Sequence, residues 1–218
     1  SAFLARSLKD AREDKIQMVL FGDFDVDGTS SAAILYLFAK LLGVNNVSPY
    51  VSRRGDGYGL TERSVRRLLG EISDPANTVI VLMDLGINTT SEAKILLDRG
   101  FRVMIIDHHV PKPDAGRIWR DYTRDYGEDR IHVYDPLLFE VEGDRAYRVL
   151  SAAGLVYKIC LTIFEENLEG HQDVALGDGG ERSYQIQVGK KKCTLDAVLN
   201  TMTKICAIAQ AADCMPFV

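Results

Sequence analysis

The sequence lacks several features that would assign it to a special class of protein. Its four cysteines among 218 residues have no C-x-x-C spacing, which argues against a disulfide framework or a zinc site. The apolar runs are too short to span a bilayer, and the N-terminal stretch does not resemble a secretion signal. A formal net charge of −5 argues against a generally basic nucleic-acid-binding surface. We therefore expect a soluble cytoplasmic protein with reduced thiols.

What the sequence does contain is an alternation of apolar runs and helical patterns. The apolar runs lie at 17–21, 47–51, 78–83 and 101–106, and helical patterns follow the first three. Continuous apolar runs that alternate with helices predict a parallel sheet covered on both faces. We predict an α/β fold with helices on both faces of the sheet, followed by a more helical C-terminal part with helices at 146–167 and 195–212.

Two segments do not fit this alternation. Residues 111–142 are polar and predict a long connection with little regular structure. Residues 170–193 are rich in glycine and charge, and we interpret them as a surface hairpin or partly mobile insertion whose most strand-like part is 183–188. The whole chain, 1–218, is therefore expected to be one domain with this insertion on its surface.

Acidic side chains stand where three of the predicted strands end. They are Asp23, Asp84 and Asp107, with Asp25 and Asp27 just beyond the first strand and His108 and His109 directly after the last. In open parallel sheets, ligands gather at the carboxyl ends of the strands. Carboxylate oxygens with imidazole suit Mn²⁺ or Mg²⁺, and less exclusively Zn²⁺ or Fe²⁺. Because the mutual repulsion of these acids is a cost unless a cation lies among them, we predict a divalent metal site. The helix that follows the first strand is predicted to be capped by Thr29 or Ser30.

Two other motifs share parts of this pattern. D-x-D-x-D-G also opens an EF-hand loop, but the twelfth position is Ile34, where a bidentate glutamate is required. DVDGT resembles the opening motif of haloacid-dehalogenase-like phosphatases, in which Asp25 would be the nucleophile and Asp27 the general acid. That family also needs a later lysine and a paired acidic motif, for which GDGGER from Gly177 is a poor substitute. It does not explain Asp107-His108-His109 and remains the minor alternative.

Several segments, in order, resemble the DHH phosphoesterase superfamily, and most closely its RecJ-like single-strand exonucleases. These segments are GDFDVDGTSSAAI, PYVSRRGDGYGL, VLMDLGI, IIDHH, YRVLSAAGLVYKI and AIAQAADCMPFV. The resemblance covers about residues 15–218. This chain departs from the family pattern at Leu85, where asparagine is usual, at Gln210-Ala211 in the closing motif, and in the charged insertion.

The resemblance implies two metal ions, usually Mn²⁺ with Mg²⁺ as the substitute, in a cage of carboxylates and histidine. The ligands it implies are Asp25, Asp27, Asp84, His108 and Asp213. Asp84 would bridge the two ions, while Asp23 and Asp107 would be ligands or would orient ligands. Two ions suit phosphoryl transfer because they activate water and neutralise charge on the phosphate.

The resemblance also implies catalytic and substrate-binding roles. The catalytic residues would be Asp84, His108 and His109, with His109 holding the scissile phosphate. Arg53 and Arg54 would contact a neighbouring phosphate, and Tyr58 would stack on a base.

The activity expected from this resemblance is metal-dependent 5′ to 3′ exonucleolytic hydrolysis of single-stranded DNA, or of RNA. One alternative is a DHH-type phosphatase or phosphodiesterase for small molecules or short oligonucleotides, and another is a scaffold that binds replication or repair proteins. The chain stops just after the closing motif, so we expect the DHH-associated second domain to be absent from it and nucleic-acid binding to be weak. The expected partners are single-stranded nucleic acid and replication or repair proteins, without a membrane.

Overall fold

The protein is described from a computed structural model, which covers residues 2–138, 145–168, 185–188 and 191–213. Its centre is a five-stranded parallel sheet in the order β2-β1-β3-β4-β5. The strands are β1 (Gln17–Gly22), β2 (Val47–Val51), β3 (Thr78–Met83), β4 (Arg102–Ile106) and β5 (Ile131–Tyr134). The predicted parallel α/β sheet is confirmed.

Helices cover both faces of this sheet, as the apolar runs predicted. They are α1 (Ala2–Arg12), α2 (Val26–Leu41), α3 (Glu62–Glu71), α4 (Thr90–Asp98), α5 (Ala115–Tyr126), α6 (Ala152–Leu168) and α7 (Leu195–Ala212). Successive strand side chains point to opposite faces. On β1, Met18 and Leu20 therefore pack with α1, α2, α6 and α7, while Val19 and Phe21 pack with α3, α4 and α5. All six residues of β3 are buried, which explains its unbroken apolar sequence.

The long connection predicted for 111–142 is wrong, because this segment contains α5 and β5. The helix AGRIWRDYTRDY buries only Ala115 and Trp119, and the Trp119 indole donates to the Ile87 carbonyl at 3.0 Å. The strand is short and lies at the edge of the sheet, with Ile131 its one fully buried residue. The helix does carry apolar residues at helical spacing, since Tyr122 and Tyr126 also pack against the core beside Trp119, but charged residues stand between them in the sequence. The half-exposed edge strand gives little hydrophobic periodicity to read.

The start of α2 also differs from the prediction. The helix begins at Val26 and its N-cap is Asp25, whose carboxylate accepts from the Gly28 amide at 2.9 Å. The expected capping by Thr29 or Ser30 is therefore wrong, and Asp27 lies inside the first turn. By contrast, Thr61 caps α3 with its own hydroxyl, in a capping box with Ser64.

The C-terminal half has the predicted helices, with α6 preceded by a 3₁₀ turn over Arg145–Val149. Strand β6 (Gln185–Val188) pairs antiparallel with β7 (Lys191–Thr194), which confirms the strand predicted within the insertion. The rest of that insertion, 170–184 and 189–190, lies outside the described residues. Within the described ranges, the helices are too short or too polar to cross a bilayer.

Candidate metal centre

Acidic residues follow four neighbouring strands and form a row along the carboxyl edge of the sheet. Asp23, Asp84, Asp107 and Asp135 are each at most 6% exposed. The row continues the register of the strands: the Asp23 amide donates to Met83, that of Asp84 to Ile106, and that of Asp107 to Tyr134. Parallel strands therefore bring together acids that are up to 112 positions apart in the sequence, from 23 to 135.

A close approach of two glycines sets the position of α2 against this row. A Cβ atom on Gly28 would lie 2.3 Å from the Asp23 nitrogen, and one on Gly22 would lie 2.2 Å from the Gly28 oxygen. Real Cβ contacts are never this short, so only glycine lets the first turn of α2 lie directly on the end of β1. This packing directs Asp27 toward the sheet edge, although it is carried by the helix.

Asp27 links this edge to the C-terminal helices. Its two carboxylate oxygens accept from the amides of Ala152 and Ala153, at 2.7 and 3.0 Å. These are unpaired donors of the first turn of α6, where a carboxylate is favoured. On α7, Gln210 accepts from the Ser151 amide and donates to the Val149 carbonyl, so it holds the helix that precedes Asp213 against the same turn. The sequence departure at Gln210 is thus a structural link.

Asp84 occupies the middle of the site in an unusual backbone conformation. Its φ of 63° is left-handed, a region that aspartate tolerates better than most residues. Burial, together with the charges of Asp27 and Asp25, raises the pKa of Asp84 to about 10. Its Oδ2 atom is buried without a hydrogen-bond partner among the described residues. A carboxylate in these surroundings needs a positive charge beside it to ionise.

His108 faces three carboxylates at once. Its Nε2 lies 3.3 Å from Asp84 Oδ1 and 3.6 Å from an oxygen of both Asp27 and Asp213. These separations are at or beyond the limit of a hydrogen bond, and Nε2 is buried without a hydrogen-bond partner in the described part of the chain. They suit atoms that share a cation at about 2.0–2.2 Å each. The donor set therefore fits a divalent metal.

The ligand atoms fall into two groups that share His108. In one group, atoms of Asp84, His108 and His109 lie within 4.8 Å of one another, and in the other, atoms of Asp27, His108 and Asp213 do. Burial raises the pKa of Asp213, and the Asp27 charge adds to this although His108 opposes it. Four implied ligands thus converge: Asp27, Asp84, His108 and Asp213.

The other predicted acids make different contacts. Asp23 accepts from the Ser52 hydroxyl at 2.5 Å and from the amides of Phe24 and Gly59, which ties the loop 52–59 to the site. Asp25 is exposed, caps α2 and lies close enough to influence Asp84. Neither acid belongs to the two groups of convergent ligand atoms.

Asp107 instead orients His109, two residues further along the chain. Its Oδ2 accepts from the Ile87 amide, and its Oδ1 lies 2.7 Å from His109 Nδ1. Burial raises the pKa of Asp107, but the hydrogen bond and charge of His109, together with the backbone amides of Ile87 and His108, outweigh it and lower the pKa. The same bond raises the pKa of His109 to about 9. Because Nδ1 is bound to Asp107, the exposed ring of His109 presents Nε2–H to solvent as a cationic donor.

We expect Asp107→Asn to return the His109 pKa toward 6.5. In the wild type, the raised pKa means that the pair's contribution to stability is complete below pH 6.5 and is lost as the pH rises through about 9. The lowered pKa of Asp107 means that the contribution is also lost in acid, as the pH falls below 3.8. Histidine NMR titration of the metal-free protein measures this, and a His109 pKa that stays near 9 in Asp107→Asn would contradict the pairing.

Asp135 was missed by the sequence analysis. Its Oδ1 accepts from the Leu137 amide at 2.7 Å, while its buried Oδ2 has no hydrogen-bond partner among the described residues. Burial raises its pKa to about 6, and the nearby Asp107 charge contributes. The available signal was the Asp-Pro step after IHVY, a strand that the polar surroundings concealed.

The predicted substrate-binding residues lie at the rim of the centre. Arg53, Arg54 and Tyr58 are exposed on the loop 52–59, which Asp23 joins to the acidic row. Their position is consistent with contacts to a ligand that extends away from the metal centre.

The parallel α/β fold, with carboxylates and histidines gathered at the carboxyl edge of its sheet, has the arrangement of a metal-dependent phosphoesterase. The family model described as "DHH family, N-terminal domain" matches residues 17–177, and the chain therefore belongs to the DHH family. This confirms the resemblance identified from the motifs.

The similar proteins include exonucleases of the RecJ branch of the family. The single-stranded-DNA-specific exonuclease RecJ of Bacillus subtilis is 33% identical over 112 residues, 50% of this chain and 14% of that protein. RecJ of Salmonella typhimurium is 33% identical over 126 residues, 54% of this chain and 20% of that protein. A crystal structure of exonuclease RecJ bound to manganese aligns with a TM-score of 0.55 at 25% identity, over 75% of this chain and 37% of that chain. The matched region is thus a small part of these relatives.

Proposed function

We propose that this chain is the catalytic DHH domain of a two-metal phosphodiesterase, a RecJ-like 5′ to 3′ exonuclease acting on single-stranded nucleic acid. The observation that carries the proposal is the convergence of Asp27, Asp84 and Asp213 on the unpaired Nε2 of His108. Two further findings support it. The relatives are named single-stranded-DNA-specific exonucleases, and a structural neighbour binds manganese.

The residues divide into ligands and groups that hold them. Asp27, Asp84, His108 and Asp213 would hold the metal ions, with Asp25 completing the set at the exposed side. Mn²⁺ bound here would supply an activated water and charge to neutralise the phosphate. Asp23 and Asp107 act as orienting residues, because their oxygens are already bonded to Ser52 and to His109.

Substrate contacts come from the cationic groups around this centre. His109 is kept protonated on both ring nitrogens by its bond to Asp107 and donates its Nε2–H to a phosphate oxygen. Arg53 and Arg54 bind the next phosphate along the strand, where bidentate guanidinium contacts are strong. These positive groups lie together beside the metal centre on a chain whose net charge is −5. Binding of the negatively charged substrate therefore depends on this local arrangement.

The test is hydrolysis of labelled single-stranded DNA and RNA, with free or blocked 5′ ends, across a Mn²⁺ titration. We expect mononucleotides only from free 5′ ends and only with metal. Asp84→Asn should lower the rate of hydrolysis by about 10³-fold, because the metal ions supply several kcal/mol of transition-state stabilisation. Asp121→Asn, which changes a surface ion pair on α5, is the matched control and should remain active.

Three outcomes would separate the alternatives. Cleavage without metal, or an active Asp84→Asn, would contradict the proposal. Hydrolysis confined to small phosphodiesters or very short oligonucleotides would instead favour the DHH-type small-substrate activity.

A further inference from the structure

A groove of about 740 Å³ runs along the outer edge of β5, between α1 on one side and α5 on the other. Its lining includes Phe3 and Arg6 of α1, Trp119 and Arg120 of α5, and the strand residues 131–133. Successive strand residues face opposite sides of a sheet, so a groove lined by all three follows the edge of the strand itself. Among the described residues, this groove and the metal centre share none.

Two buried aromatic residues hold the walls of this groove against the strand. On α1, the Phe3 ring stacks on His132, with 5.7 Å between the ring centroids and an angle of 7° between the planes. On α5, Trp119 is buried in the same core cluster as Ile131. Both helices are therefore fixed to β5, and the groove between them is formed by the folded core.

The floor of the groove is the open edge of the sheet. In the described part of the chain, β5 is the last strand and pairs with β4 on one side only. The carbonyls of Arg130 and Tyr134 accept from the amides of Val103 and Asp107 on that side. Because alternate residues of a parallel strand bond to its neighbour, Val133 directs its amide and carbonyl outward, into the groove. Such an edge is a template for a further strand.

The walls of the groove are positively charged. Three arginines line it, Arg6 on the α1 side and Arg120 and Arg124 on the α5 side, against one glutamate, Glu128. Arg124 already pairs with two aspartates of its own helix. Arg6 and Arg120 are exposed and form no ion pair within the described ranges. A strand lying in the groove would therefore meet positive charge on both of its faces.

We propose that this groove binds an extended acidic segment of a partner protein, which pairs with β5 as a sixth strand of the sheet. Main-chain hydrogen bonds to the open edge supply affinity, and the arginines on the two walls select acidic side chains. A second copy of this chain would bring its own arginines to the same edge, so like charges oppose that occupant. A nucleic acid strand has no backbone amides to pair with β5. The inference goes beyond the proposed function and does not depend on it.

NMR titration of the whole chain with two synthetic peptides tests the groove. The first is Asp-Glu-Val-Thr-Val-Glu-Asp, acetylated and amidated, and the second has proline in place of both valines and the same charge. We expect the first peptide to shift the Val133 amide resonance and to slow its exchange with solvent, because that amide becomes hydrogen-bonded. The second peptide should bind about tenfold more weakly, since proline removes donors from the added strand.

Variants separate the two parts of the site. Val133→Pro removes the outward amide, a change that edge strands tolerate, and should make the two peptides bind equally weakly. Arg6→Ala and Arg120→Ala should each weaken binding of the first peptide by about three- to fivefold. The matched control is Arg117→Ala, because Arg117 is an exposed arginine of α5 that pairs with Asp121 and lies outside the groove. Its affinity should equal that of the wild type.

Several results would overturn the proposal. They are the absence of peptide binding, equal binding of both peptides by the wild type, and a Val133 shift produced by hexathymidylate in place of the peptide. Dimerisation in sedimentation that Val133→Pro abolishes would assign the edge to a second copy and overturn it too. Should Val133→Pro not fold, wild-type peptide affinity in both Arg6→Ala and Arg120→Ala would overturn it alone.

Discussion

Asp84→Asn is expected to stabilise the metal-free protein and to abolish the stabilisation that Mn²⁺ gives the wild type. The pKa of Asp84 is raised from 3.8 to about 10, so the folded state keeps a proton that the unfolded state releases. This contribution to stability is complete below pH 3.8 and is lost as the pH rises toward 10. Asparagine is neutral and tolerates the left-handed backbone, so it avoids the loss.

Thermal unfolding in EDTA and in Mn²⁺ between pH 5 and 9 measures both effects. The variant should melt a few degrees above the wild type in EDTA at pH 8, because about 1 kcal/mol shifts Tm by roughly 2–4 °C for this size. At a Mn²⁺ concentration of 100 times Kd, the free energy of unfolding of the wild type should rise by about 2.7 kcal/mol. That of the variant should change little. An equal Mn²⁺ shift in both proteins would show that Asp84 is not a ligand.

Gly28→Ala is expected to destabilise the protein and remove Mn²⁺ binding together. The added Cβ would lie 2.3 Å from the Asp23 nitrogen and 2.6 Å from its oxygen, so the first turn of α2 must move off β1. Overpacking of this kind costs about 1–3 kcal/mol. The movement also displaces Asp25 and Asp27, which that turn carries.

Gly70→Ala is the matched control, because Gly70 lies in α3 and a Cβ there meets nothing within 4 Å. It should leave Mn²⁺ binding unchanged and stabilise the protein by about 0.4–1 kcal/mol. Urea unfolding and the Mn²⁺-induced change in Tm provide the two readouts. A Gly28→Ala protein with wild-type stability and a normal Mn²⁺ response would refute the close-packing argument.

The central strands could be predicted because they are buried on both faces. Each of β1, β3 and β4 is a continuous apolar run, and its acid marks where that run ends, although the acid itself is buried. The edge strand β5 has neighbours on one side only, so its sequence IHVY carries no such signal, and Asp135 was missed with it. Helix α5 does repeat its apolar residues at helical spacing, with Tyr122 and Tyr126 packed beside Trp119, but arginines and aspartates between them made the segment read as a polar connection.

The site could be predicted as a set of residues, but their division of labour could not. Strand register alone places Asp23, Asp84 and Asp107 in one row. Which of them is already bonded depends on groups far away in the sequence, such as Ser52 for Asp23 and Ile87 for Asp107. These contacts arise from tertiary packing, and a motif does not encode them.

The contact between Asp27 and α6 connects the charge of the metal centre to the backbone of a distant helix. One carboxylate accepts from amides 125 and 126 positions further along the chain while also facing His108. A cation that draws electron density from this carboxylate weakens its hydrogen bonds to those amides, and these bonds are stronger when no cation is bound. Exchange of the Ala152 and Ala153 amide protons should therefore record ion occupancy from the far half of the polypeptide.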